Sequence, residues 1–128
     1  MSASPLLIAV VDDDPDVRGS LSSLLRSAGL ASHGFACGEA LLAWDGINLA
    51  ACIVTDLHMP GMTGIELLHA LAGRGWRRPA IMMTAYLTAK AREEAIDAGA
   101  VAVFAKPVDP DAFLDAVEHA ISGASERP

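Results

Sequence analysis

Five short apolar runs, at residues 6–11, 31–35, 51–55, 80–84 and 102–105, alternate along this chain with segments of helical periodicity. Each run is too short for an ordinary helix and none alternates cleanly between apolar and polar residues. Each therefore reads as a strand buried on both faces. Repeated strand–helix units with short connections make neighbouring strands parallel, because each crossover helix returns the chain to the same end of the sheet. Right-handed crossovers leave few topologies for five strands, and a doubly wound sheet in the order 2-1-3-4-5 with helices on both faces is expected.

The helical segments carry their own start and stop signals. Asp14 can cap the first helix, Pro15 suits its first position, and Asp16 favours the positive end of the helix dipole. Val17, Leu21, Leu24, Leu25 and Ala28 then form an apolar stripe, and Gly29 ends it. The last helix repeats that opening with Asp109-Pro110-Asp111, followed by Phe113, Val117, Ala120 and Ile121. Thr63 and Glu66 fit a capping box for a third helix with Ile65, Leu68 and Ala72 inward. A shorter helix is expected over 38–45. Another, over 88–98, has only Ala91, Ala95 and Ile96 to turn inward. The fold class is thus α/β and flavodoxin-like, in one domain over residues 1–122. Residues 123–128 read as a polar tail or the start of a linker.

A chain of 128 residues can bury one sizeable core. Its net charge of −7 argues against holding nucleic acid by this chain alone, which needs a basic face. Cys37 and Cys52 are the only cysteines, and no metal-ligand spacing links them. No basic residue precedes the first apolar run, and no apolar stretch approaches the length of a membrane span. A cytoplasmic domain without membrane insertion is the expectation.

The ends of the apolar runs carry the chemistry. Asp12 and Asp13 end the first, Asp56 ends the third, Thr84 the fourth, and Lys106 follows the fifth. A carboxylate at the end of a buried strand costs free energy unless something compensates. In an open α/β sheet, ligands bind beyond the carboxyl ends of the strands where the order reverses, here between the first and third strands. Three carboxylates would gather there. At roughly 4 Å and an effective dielectric of about 20, each like-charge pair costs about 4 kcal/mol, which a divalent cation would relieve. Oxygen ligands without clustered histidine or cysteine suggest Mg2+. A cation, a hydroxyl and an ammonium around one carboxylate suit attack of that carboxylate on a phosphoryl group, giving an aspartyl phosphate.

This constellation resembles the receiver domain of bacterial two-component response regulators. The matching pieces are Val10-Val11-Asp12-Asp13-Asp14, then Asp56-Leu57-His58-Met59-Pro60-Gly61-Met62-Thr63-Gly64, then Met83-Thr84-Ala85, then Lys106-Pro107. They span nearly the whole chain. The resemblance implies a phosphoacceptor switch, in which Asp56 takes a phosphoryl group from a sensor histidine kinase or phosphotransfer protein. It implies that Asp13, Asp56 and the backbone carbonyl of His58 bind Mg2+ directly, with Asp12 acting through water. Lys106 would contact the phosphoryl oxygens, Thr84 would donate a hydrogen bond to the phosphoryl group, and the Lys106–Pro107 peptide would be cis. Beyond assisting its own phosphorylation and dephosphorylation, the chain would not be an enzyme. A downstream effector or a second copy would bind through helix 4, strand 5 and helix 5.

Three positions depart from the usual receiver pattern. Val103 stands where an aromatic residue is common, three places before the lysine, and Phe104 should face the opposite way. Readout is then expected to run through backbone shifts near Thr84 and the fourth helix. His58 and Tyr86 lie two residues after Asp56 and Thr84, where bulk should slow attacking water. Two other functions compete with the switch. One is a magnesium-dependent phosphohydrolase with an aspartyl-phosphate intermediate, which commonly has a second acid where His58 stands. The other is a binding module that ignores phosphorylation.

Overall fold

A computed structural model describes the backbone of residues 6–126 and the side chains of residues 6–123. Five parallel strands form one sheet in the order β2-β1-β3-β4-β5. The strands are β1 (Leu7–Val11), β2 (Ala31–Phe35), β3 (Ala50–Asp56), β4 (Ala80–Thr84) and β5 (Ala100–Ala105). Between and after them run α1 (Pro15–Ser27), α2 (Gly38–Leu42), α3 (Gly64–Gly73), α4 (Ala89–Asp97) and α5 (Pro110–Glu126). The doubly wound topology expected from the strand–helix alternation is the one observed.

Side-chain alternation along the strands divides the core in two. On one face Ala9, Val11, Ile53, Met82 and Val103 meet Leu41 of α2, Leu67, Leu68 and Leu71 of α3 and Ala95 of α4. On the other, Ile8, Val10, Cys52, Val54, Ile81 and Met83 meet Leu21 and Leu25 of α1 and Phe113 and Val117 of α5. Val103 and Phe104 therefore face opposite ways, and Phe104 makes an edge contact with Phe113 at 6.2 Å between ring centroids.

The helix starts form as their sequences dictate. The Asp14 carboxylate accepts from the Asp16 amide at 2.9 Å. Thr63 and Glu66 close a reciprocal capping box at 3.2 and 2.9 Å. Asp109 accepts from Ala112 at 2.9 Å, and the Thr88 hydroxyl accepts from Ala91 at 3.0 Å. Each bond satisfies an amide that lacks an intrahelical partner.

Several details differ from expectation. The outer strands β2 and β5 are not buried on both faces: His33, Gly34, Val101 and Ala105 are exposed. Each outer strand has a single strand neighbour, and the helices cover its outer margin less completely. β3 and β5 begin at Ala50 and Ala100, earlier than their apolar runs suggested. α2 stops at Leu42, and a single 3-10 turn (Ile47–Leu49) leads into β3. The inward stripe of α3 is Gly64, Leu67, Leu68 and Leu71; Ile65 is half-buried and Ala72 exposed. In α4 only Ala95 is fully buried. Ile96 lies one position, about 100° of helix, further round and is 46% exposed. α5 runs on to Glu126, past the start of the segment that reads as a polar tail.

Cys52 is free and buried, and burial pushes its thiol up to about 12, which keeps it inert. Trp44 packs with His33 and Phe35 at centroid distances of 4.8 and 5.2 Å, and Trp76 packs on the α2–α4 side of the core. Among the described residues, no helix is long and apolar enough to cross a membrane.

Candidate functional site

Parallel strands bring their carboxyl ends to one edge, and the register sets what meets there. Val11 pairs with Thr55, Asp56 with Met83 and Thr84 with Ala105, so Asp12, Asp56, Thr84 and Lys106 stand at successive strand ends. One ligand oxygen from each of Asp12, Asp13 and Asp56 lies within 4.8 Å of the other two. Asp12 and Asp56 are buried, while Asp13 is exposed on the loop between β1 and α1.

Lys106 is the counter-charge. Its Nζ lies 2.7 Å from Asp12 Oδ2 and 3.1 Å from Asp56 Oδ2. Asp12 Oδ1 accepts the Asp14 amide at 2.9 Å, and Asp56 Oδ1 accepts the His58 amide at 3.3 Å. Both carboxylates are thus held at both oxygens. Burial pushes the Asp56 carboxyl above its ordinary value near 3.8. The hydrogen bond and charge of Lys106 oppose that rise, the charge of Asp12 adds to it, and the His58 amide opposes it. Burial pulls the Lys106 ammonium down, but hydrogen bonds to Asp12 and Asp56 and both their charges outweigh burial and leave it raised.

Thr84 is buried, and its hydroxyl accepts from the Tyr86 amide at 3.1 Å, tying β4 to the start of the following loop. Tyr86 itself is 76% exposed and the His58 side chain is exposed, both beside the strand ends. Val103 is buried in the core two strands from Asp56. The Lys106–Pro107 peptide is cis. A largely apolar groove of about 570 Å³ extends from Lys106 and Pro107 to Val17, Leu21 and Leu24 on α1.

Two residues with no evident role in the sequence support this edge. Gly64 opens α3 directly beneath Asp56: a Cβ there would lie 2.4 Å from the Asp56 carbonyl oxygen and 3.1 Å from Leu57 Cα. The Gly64 amide donates to the Leu57 carbonyl at 2.9 Å, which requires that approach. Only a glycine at a helix start hints at it, and glycines open helices for many reasons. Gly64→Ala should therefore destabilise the chain by about 2 kcal/mol or more, because backbone rather than a pliable side chain must move. A urea midpoint equal to that of the parent chain would refute the close approach. The second residue, Arg18, donates from Nη1 to the Asp12 carbonyl at 2.6 Å.

The fold and this edge define a doubly wound α/β domain with an acidic, lysine-bridged cluster at its topological reversal. The chain belongs to the response regulator receiver domain family, whose model matches residues 8–118. It is 39% identical over 123 residues to the transcriptional regulatory protein FixJ of Azorhizobium caulinodans, covering 95% of this chain and 58% of that one. It superposes on the response regulator StyR with a TM-score of 0.84 at 37% identity, over 98% of this chain and 63% of that one. A CheY-like receiver from Methanospirillum hungatei superposes with a TM-score of 0.86 at 26% identity, over 96% of this chain and 98% of that one. The chain spans just over half the length of curated relatives such as FixJ. Receiver domains of this family are parts of two-component systems.

Proposed function

We propose that this domain is a phosphoacceptor switch in which Asp56 receives a phosphoryl group from a phosphohistidine on a sensor kinase or phosphotransfer protein. The observation that carries the reading is Lys106 bridging Asp12 and Asp56 inside a cluster of three carboxylates. A carboxylate oxygen of Asp56 forms the bond to phosphorus, the donor's phosphorus–nitrogen bond breaks, and the imidazole leaves. Charge grows on the phosphoryl oxygens as this happens. Lys106 is already placed to meet that charge, so little reorganisation is needed.

The donor set suits Mg2+: oxygen ligands only, few of them, and crowded negative charge. Asp13, Asp56 and the His58 carbonyl would hold the ion directly and Asp12 through water, and the bound ion would supply further neutralisation of the phosphoryl oxygens. The groove beside Lys106 is an apolar surface close to Asp56 on which a donor protein can rest.

Thr84 would then turn its hydroxyl toward the phosphoryl group. Its bond to the Tyr86 amide links that movement to the loop before α4. α4 fully buries a single side chain, Ala95, so shifting it disrupts little packing. Ile96 on α4 and Val101 on β5 are 46% and 54% exposed, giving the α4–β5–α5 face apolar anchors for an effector or a second copy. With Val103 in place of an aromatic residue, this readout would rest on backbone movement at Thr84 and α4.

Acetyl phosphate and Mg2+ should add the mass of one phosphoryl group to the parent chain and none to Asp56→Asn. Labelling of both, or of neither, would defeat the reading. His58 and Tyr86 should also lengthen the life of the phosphoryl group by obstructing water. The double variant His58→Ala, Tyr86→Ala should lose its phosphoryl group several-fold faster, and an unchanged decay rate would show that neither side chain screens the site.

A further inference from the structure

Asp12 and Asp56 are oriented by bonds to their own carboxylate oxygens, but Asp13 is not. Among the described residues no side-chain bond holds the Asp13 carboxylate. Its direction is set by the backbone of the Asp12–Asp13 peptide, at a point where the sheet no longer controls that backbone. The β1–β2 ladder closes with the Asp12 amide donating to the Phe35 carbonyl at 3.0 Å, and β2 ends at Phe35. The Asp12 carbonyl is the next acceptor in line. Arg18, at the end of the first turn of α1, supplies the donor: its Nη1 lies 2.6 Å from the Asp12 oxygen.

To reach that oxygen, the Arg18 side chain crosses β2 at Gly34. A Cβ on Gly34 would stand 3.3 Å from Arg18 Cδ and 3.7 Å from its Nε. A glycine inside a strand weakens it, and one reason to find it there is close approach of another group. Here the approaching group is the Arg18 side chain.

We infer that Arg18 is a positioning residue for the divalent-cation site: by clamping the Asp12 carbonyl across Gly34, it aims the Asp13 carboxylate at the cluster. The inference rests on the proposed Mg2+ site. It predicts an effect opposite to simple electrostatics. Removing a guanidinium close to a cation site should tighten cation binding if charge alone matters. Loss of a positioning contact should weaken it, and outer contacts of metal ligands typically contribute about 10- to 100-fold in affinity.

Isothermal titration of the full 128-residue chain with Mg2+ distinguishes the two. Arg18→Gln should bind Mg2+ about 10-fold more weakly than the parent. Arg18→Lys, which keeps a donor on a shorter and less rigid arm, should recover part of the loss. Gly34→Val keeps Arg18 but blocks its path, so it should also weaken Mg2+ binding while leaving the thermal midpoint without Mg2+ no lower than the parent's. Tighter or unchanged binding by Arg18→Gln overturns the inference. If that variant does not fold, parent-like affinity in Gly34→Val overturns it instead. A parent chain that binds no Mg2+ would defeat the metal site itself, whereas a binding parent with parent-like variants defeats only the role of Arg18.

Discussion

Asp56→Asn should abolish phosphoryl uptake and, in the absence of Mg2+, raise the thermal midpoint of the chain at neutral pH. The first effect follows from the loss of the nucleophilic carboxylate. The second follows from the electrostatics of the edge. Asp56 is buried beside Asp12, and burial is the largest influence lifting its carboxyl above 3.8, despite the hydrogen bond and charge of Lys106. A carboxyl whose folded value exceeds its unfolded value holds its proton more tightly in the fold. Ionised Asp56 therefore destabilises the fold at pH above the raised value, and that destabilisation fades as pH falls through it towards 3.8. Asparagine has the shape of the carboxyl without its charge. The stability gap between variant and parent should be widest near neutral pH and should close on acidification. Thermal melts of both proteins across that range test it. Equal midpoints at neutral pH would show that Lys106 fully compensates Asp56.

Lys106→Met should have the opposite effect on stability and should slow phosphoryl uptake rather than abolish it. Methionine keeps most of the length of the lysine stem but removes the cation shared by Asp12 and Asp56. Asp12 is fully buried, and Lys106 is only 20% exposed in its side chain. Removing one partner of a buried ion pair costs about 3–5 kcal/mol, and the partial exposure of Lys106 puts the expected loss near the lower figure. The raised ammonium fixes the pH window. Its stabilising contribution is fully present below its unfolded value of 10.5 and is lost only as pH rises through the higher folded value. The deficit of Lys106→Met should thus persist across neutral pH. Added Mg2+ should narrow it, because the same carboxylates gain another counter-charge. Labelling by acetyl phosphate should slow by about 100-fold, as when one preorganised stabiliser of developing charge is removed. Urea unfolding with and without Mg2+, alongside labelling rates, measures both effects. A deficit that Mg2+ leaves unchanged would separate the stability role of Lys106 from the cation site.

The two variants also bear on each other. Asp56 and Lys106 are 3.1 Å apart, so their effects should not add. In Asp56→Asn, Lys106 still has Asp12 at 2.7 Å and stays paired. In Lys106→Met, both carboxylates lose their cation. That asymmetry is why the same edge can be relieved by one substitution and destabilised by the other.

The strand order, the two-sided core and the helix caps were legible in the sequence because each depends on local pattern. Apolar runs of strand length separated by capped helices admit few arrangements. The chemistry-bearing positions were legible for a related reason. Asp12, Asp56, Thr84 and Lys106 fall at the ends of apolar runs, and parallel strands all end on the same edge. What local pattern misjudged was coverage. β2 and β5 read as buried strands but lie at the margins of the sheet, and Ile96 reads as an inward residue on a helix with too little apolar surface to hold it there.

By itself, then, the sequence determined which strands exist, how they must be ordered, and which carboxylates, hydroxyl and ammonium share one edge. Only the tertiary structure decided how those groups are held. The bridge from Lys106 to Asp12 spans 94 residues, the reach of Arg18 to the Asp12 carbonyl needs the gap at Gly34, and the seat of Asp56 needs the missing side chain of Gly64. Each is a contact between elements remote in the chain or a space left by an absent Cβ. Strand and helix periodicity is a property of neighbours along the backbone, whereas distances of 2.6 to 3.1 Å across an edge are set by how separate elements pack.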